Sequence, residues 1–324
     1  MNKNKVTLIL LAIGLYFFSA GASYFIFAKT SLQNIATPVD QPKVGTDGKL
    51  VFDDTLPKTE ACPLNGAKYS KQQRQWWEKH RPLGVMIENH ENARPQSGLS
   101  KADVIYEAVA EGGITRFLAF YYCQDGMEVG PIRSARTYFI DFASEYGDSP
   151  LYVHVGGANQ PGPADALSQL TDYGWTGYND MNQFSIGFPT FWRDYDRLGH
   201  PAATEHTMYS TVQKLWDYAA KNRDLTNVSE DGIPWDKGFV EYKFSDDAPS
   251  SARAKSQSLH LEFWEGNSDY YVDWTYDPAA NVYKRSNGGE PHIDRNNNKQ
   301  ITAKNVVVLL MQESSANDGY ENNI

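Results

Sequence analysis

The chain has 324 residues, 41% hydrophobic and 13% aromatic, enough for a membrane segment plus one or two cored domains. Its formal charge of −10 excludes nucleic acid as the main partner. Cys62 and Cys123 are the only cysteines, and neither has a second cysteine or a histidine at ligand spacing, which argues against a cysteine-built metal site.

From the N-terminus, Val6 to Ala28 is an uncharged run of 23 residues, roughly 35 Å as a helix and enough to cross a bilayer. Lys3 and Lys5 precede it, which predicts a single transmembrane helix with the N-terminus cytoplasmic and the bulk of the chain extracytoplasmic. Ala20-Gly21-Ala22 offers a peptidase site, but Tyr24 to Ala28 continues the apolar run past it, as a retained anchor does. Residues 1–28 are therefore read as cytoplasmic tip and anchor. Residues 29–61, polar and carrying Pro38, Pro42 and Pro57, are read as a stalk. An oxidising compartment permits a Cys62–Cys123 disulfide that pins the end of the stalk to the first domain; two free thiols are the alternative.

A first domain is expected over residues 62–222. Ser70 caps a short helix anchored by Trp76 and Trp77. Strands are predicted over Leu83 to Ile87, Val104 to Val109, Ile114 to Tyr122 and Leu151 to Val155, with Gly112-Gly113 as a tight hairpin turn. Helices are predicted over Thr137 to Tyr146, Ala164 to Leu170 and Ser210 to Arg223. The order implies an α/β (α+β) domain around a mixed sheet. A smaller β-rich second domain is expected over residues 238–324, with strands at Phe239 to Phe244, Ser258 to Trp264, Tyr270 to Tyr276, Val282 to Arg285 and Asn305 to Met311. Asp294 to Asn298 has oxygen side chains at alternate positions but no glycine sixth and no glutamate twelfth, so it reads as a hairpin turn, not a calcium loop.

Between Arg81 and His200 there are seven arginines and one lysine, although lysine outnumbers arginine 18 to 12 in the whole chain. Arginine is preferred where a planar, permanently charged fork must meet a carboxylate or phosphate. The bland explanation is pairing with the 15 acidic residues of the same region. The candidate ligand-binding residues are Arg94, Arg116, Arg133, Arg136, His154, Arg193 and His206. Ser134 is the best nucleophile of a poor set, and no serine elbow, zinc-protease helix or P-loop is present. Whether the protein is an enzyme is left open.

Glu88-Asn89-His90, Ala93-Arg94-Pro95-Gln96-Ser97-Gly98, Glu111-Gly112-Gly113-Ile114-Thr115-Arg116, Gly130-Pro131-Ile132-Arg133-Ser134-Ala135-Arg136 and His154-Val155-Gly156-Gly157 resemble the YerB-like envelope family, domain of unknown function 3048. The resemblance implies a two-domain extracytoplasmic protein, often lipid-anchored, and brings no reaction. The family pattern continues for some tens of residues past Val306 to Leu310, so the second domain is expected to be incomplete. The layout is also similar to the LytR-CpsA-Psr phosphotransferases, although their characteristic motifs are absent. That similarity would give Arg94, Arg133 and Arg136 to phosphate and Asp103 to Mg²⁺. The expected function is a membrane-anchored envelope module binding wall glycan or a partner protein, with the aromatics of Trp175 to Trp192 as its contact surface. The alternative is binding or transfer of a phosphorylated, lipid-linked precursor.

Overall fold

The computed structural model describes residues 13–21, 23, 41–45 and 50–316, which fall into two compact units divided after Gln41. In the first unit residues 13–21 are helical. Among the described residues no helix is long and apolar enough to cross a membrane, so the expected single transmembrane helix is not supported; the rest of residues 6–28 lies outside the described residues apart from Ser23.

In the second unit, order begins earlier than the expected stalk allows. Lys43–Val44 pairs with Leu50–Val51, Lys58–Ala61 pairs with Lys68–Ser70, and Phe52 sets its edge on Trp76 at 5.3 Å. Apolar residues at 50 and 52 give this polar stretch something to bury. Ser70 caps α1 (Lys71–Trp77) by accepting from the Gln73 amide.

The main sheet has five strands: β1 (Leu83–Glu88), β2 (Val104–Val109), β3 (Thr115–Tyr121), β5 (Leu151–His154) and β6 (Asp180–Asn182). Their order is β6-β5-β1-β3-β2, with β6, β5 and β1 parallel and β3 and β2 antiparallel. β1 and β3 are buried along their whole length, which explains apolar runs without polar alternation. The β2–β3 connection is a short 3-10 turn, Glu111–Gly113, with both glycines at positive φ. Helix α2 (Thr137–Ser144) buries Phe139, Ile140 and Ala143, and Phe142 stacks on Tyr106 of β2. Helix α3 (Ala166–Asp172) buries Ala166 and Leu170. A short helix α4 (Gln183–Ile186) follows β6 directly. Helix α5 (Val212–Arg223) buries Leu215, Trp216 and Ala219, and Trp216 meets Trp76 edge-on at 5.3 Å. Strands β4 (Glu128–Val129), β7 (Trp192–Arg193) and β8 (Met208–Thr211) make a small antiparallel sheet, order β7-β8-β4.

The second domain is an antiparallel meander of β9 (Ser258–Glu262), β10 (Tyr271–Asp277) and β11 (Val282–Asn287), with Thr302–Ala303 pairing on β11. Phe239 to Phe244 and Asn305 to Met311 lie outside every strand. Alternation makes a segment strand-competent, but no neighbouring strand among the described residues completes its ladder, and Leu310 is left 98% exposed.

The two domains interlock through polar groups. Hairpin β12 (Ile293–Asp294) and β13 (Lys299–Gln300) inserts Asp294, whose carboxylate accepts from the amides of Gly98, Ser100 and Asn296 at 3.1, 2.7 and 2.8 Å. Arg285 donates to Glu107 at 2.7 Å, and His292 lies 2.7 Å from Gln96 Oε1. Replacing Asp294 with Ala strands two buried amides of the first domain. We expect a loss of about 3 kcal/mol in denaturant unfolding and faster protease cleavage near residues 96–100.

Cys62 and Cys123 are joined by a disulfide across 61 residues. Removing it as the double Ala variant is expected to cost about 4 kcal/mol, read by calorimetry against the oxidised wild type.

Candidate functional site

The parallel strands β1, β5 and β6 end at one edge of the sheet, where open α/β sheets commonly place ligands. β1 ends in Glu88, β5 leads into Gly156-Gly157, and β6 ends in Asn182. The segment Ile132 to Ala135 wedges between the first two. Ile132 bridges to Ile87, Ala135 bridges to Gly157, and the Arg133 amide donates to the Met86 carbonyl at 2.9 Å. A cleft of about 660 Å³ opens there. Its polar wall includes Arg133, Asn159, Asn182, Arg193 and Glu205; its apolar wall includes Val155, Leu167, Phe184 and Met208. Gly157 is closely packed: a Cβ there would stand 2.9 Å from the Leu167 side chain and 3.2 Å from Ala135, so Leu167 would have to shift.

Glu88 organises the polar wall. Its side chain is almost fully buried; Oε2 accepts from His206 Nδ1 at 2.8 Å, and Oε1 lies 3.2 Å from Arg133 Nε. The His206 ring stacks on His90 at 4.9 Å. The Arg133 side chain, 30% exposed, is therefore ion-paired to Glu88 without hydrogen-bond geometry at Nε, and has no other side-chain partner among the described residues. Its two terminal nitrogens are available to a ligand. Arg193 is fastened through Nη1 to the Thr204 carbonyl and to Thr207 Oγ1 at 3.3 Å. The Glu205 carboxyl is held below its ordinary range, first by its own backbone amide, then by the charges of His206, Arg133 and His90.

The other expected residues are placed elsewhere. Arg116 and Arg136 are both buried against Glu111, and Arg116 also donates to the Ser134 carbonyl at 3.0 Å. Burial pushes the Arg116 guanidinium below its ordinary value. Arg94 lies at the domain junction, donating to Asn89 and to the Asp269 carbonyl, with its guanidinium 5.1 Å over Tyr270. His154 is fully buried: Nδ1 donates to the Gly156 carbonyl and Nε2 meets Asp180, both at 2.6 Å. It supports the Gly156 turn under the cleft, with no ring nitrogen left for a ligand. Trp175 is buried, whereas Tyr173, Phe184 and Phe188 are exposed.

Asp103 lies beside Cys62 and Cys123, ligand-type atoms all within 4.8 Å, but the two sulfurs are bonded to each other and offer no thiolate. Its carboxylate accepts from the amides of Tyr122 and Cys123, both at 2.8 Å, and from Asn65. Those bonds account for both of its oxygens and make it a brace for the disulfide corner. Desolvation outweighs these hydrogen bonds and pushes Asp103 up to about 7. The folded chain thus holds this proton more tightly than the unfolded one, so stability is present at acid pH and declines as pH rises from about 4 through about 7. Asp103→Asn should flatten that decline, measured as unfolding free energy against pH for variant and wild type.

Asn182 and Glu205 of the cleft, and Glu88 behind it, were left unassigned by sequence reasoning, whereas Phe184 falls in the aromatic stretch expected to make contacts. A single acid closing a wholly apolar strand was the available signal for Glu88.

A family model described as "Protein of unknown function (DUF3048) N-terminal domain" matches residues 66–226, and the C-terminal domain model of the same family matches residues 259–324. The chain is 33% identical over 268 residues to "Putative lipoprotein YerB" of Bacillus subtilis (strain 168), covering 82% of this chain and 71% of that protein. It is also similar to the crystal structure of the YerB protein from Bacillus subtilis, with a TM-score of 0.59 and 28% identity over 75% of this chain and 72% of that one.

Proposed function

The chain belongs to the DUF3048 family, and from that premise we propose that it is a membrane-associated, extracytoplasmic binding module of the cell envelope that holds an anionic group of a wall component or partner protein in the Arg133 cleft. The carrying observation is Arg133 itself: a guanidinium ion-paired to the buried Glu88, 30% exposed, on the wall of an open cleft. Such a fork matches a carboxylate or phosphate.

The relative's name, lipoprotein, supports the membrane and the outer compartment. The disulfide supports the same side of the membrane, since such bonds persist in oxidising compartments. Lipid-linked phosphates and wall polymers are the anions such a position meets.

Two measurements test this. Protease added to intact cells should remove the folded unit while the chain fractionates with membranes; full protection sinks the localisation. Purified full-length chain should retain anionic wall fragments, and Arg133→Ala should lower that retention about tenfold or more, since a charge-assisted pair is worth about 1.5–3 kcal/mol. Equal retention by wild type and variant sinks the cleft as the binding site.

A further inference from the structure

The cleft is not only cationic. Phe184 is 75% exposed on its wall, and Val155, Leu167 and Met208 continue the same apolar side. Phe188, four residues along, is 84% exposed. Apolar side chains and an arginine lining one cleft fit a ligand that brings both an oxyanion and an apolar body. Inorganic phosphate or a plain polyanion would use the arginine and leave Phe184 wet. A neutral lipid or sugar would do the reverse.

We propose that the cleft takes an amphiphilic oxyanion, with its phosphate or carboxylate head on the Arg133 fork and its apolar body against Leu167, Phe184 and Met208. This rests on the anion-binding reading of the same cleft given above. Glu88 is the positioning residue. One of its oxygens is ion-paired to Arg133 Nε at 3.2 Å and the other is taken by His206 Nδ1, which places the charge that anchors Arg133 at the cleft wall. Arg193 supplies a second positive charge on the wall. Among the described residues Glu205 is the one carboxylate lining the wall, within electrostatic reach of Arg133 and His206, and it opposes the head group. Removing its charge should therefore tighten binding, a sign that a purely structural role would not produce.

The test is titration calorimetry on the full chain in zwitterionic nanodiscs, with hexyl phosphate, hexanoate, inorganic phosphate and hexanol as probes. At least one of the two amphiphilic anions should bind about tenfold or more tighter than inorganic phosphate and than hexanol, a modest share of what burying six carbons can supply. The better of the two identifies the head group. Phe184→Ala should bring it down to the level of inorganic phosphate, Arg133→Ala should abolish it, and Glu205→Gln should strengthen it. Glu88→Gln should weaken it; if that variant does not fold, Arg133→Lys, which keeps the charge and loses the fork, takes its place. Equal binding of hexyl phosphate and inorganic phosphate, with loss in Arg133→Ala, overturns the amphiphile and leaves the anion site standing. No binding by any anion, or binding untouched by Arg133→Ala, overturns both.

Discussion

A carboxylate buried at the end of a central strand has to be paired or it unfolds the strand end, and Glu88 is such a group. It is paired twice, to Arg133 and to His206, and those partners come from two other segments of the chain. One charge therefore welds the end of β1, the wedge of residues 132–135 and the approach to β8. The cleft is the space these three segments leave at the sheet edge. Its position follows from parallel strands ending together, and its chemistry follows from how that one carboxylate is neutralised. A neutral residue at position 88 would still permit the sheet, but nothing would hold the arginine with its terminal nitrogens outward.

The second domain bears on the same place from the other side. Loop 89–98 follows Glu88 directly, and second-domain residues grip it at several points. Asp269 takes Arg94, His292 meets Gln96, and Asp294 takes the Gly98 amide. Asn89 reaches Asn287 at 3.0 Å. All of these contacts are polar and all but that of Arg94 are buried, where an unmade bond costs more than a made one contributes. Such a junction favours one relative placement of the domains. His90, which stacks on His206, sits in that loop, so the geometry near the cleft is coupled to the docking of the second domain.

The strands of the main sheet were legible because their residues could do little else. Val104–Val109 and the runs at 83, 115 and 151 are short, β-branched or aromatic, and bounded by turn residues. Phe239 to Phe244 and Asn305 to Met311 show the limit of that reading. They have the same local pattern, yet a strand exists only if another backbone lies alongside, and pattern does not report that. The cleft was less legible still. Arg133 and Arg193 stood out by type, but Glu88, Asn182 and Phe184 come together only through the parallel order β6-β5-β1, a long-range pairing that no local stretch encodes.

The arginine bias itself divides by the same logic. Arg81 is fully buried and donates to three carbonyls, those of Asp148, Ser149 and Thr226. Arg116 and Arg136 share Glu111, and Arg197 reaches Ser97 and Asn296. Each ties together segments that no helix or ladder joins, which a forked donor does and a single ammonium does less well. Most of the enrichment is thus a signature of loops stitched together without regular secondary structure. What separates Arg133 from these is how little of it is used. The stitching arginines spend their forks on several protein acceptors, while Arg133 has one ion pair, to Glu88, and lines the cleft with 30% of its side chain exposed. A binding arginine in such a fold is recognised by partial exposure on a cleft wall, a property of the assembled structure and not of its place in the chain.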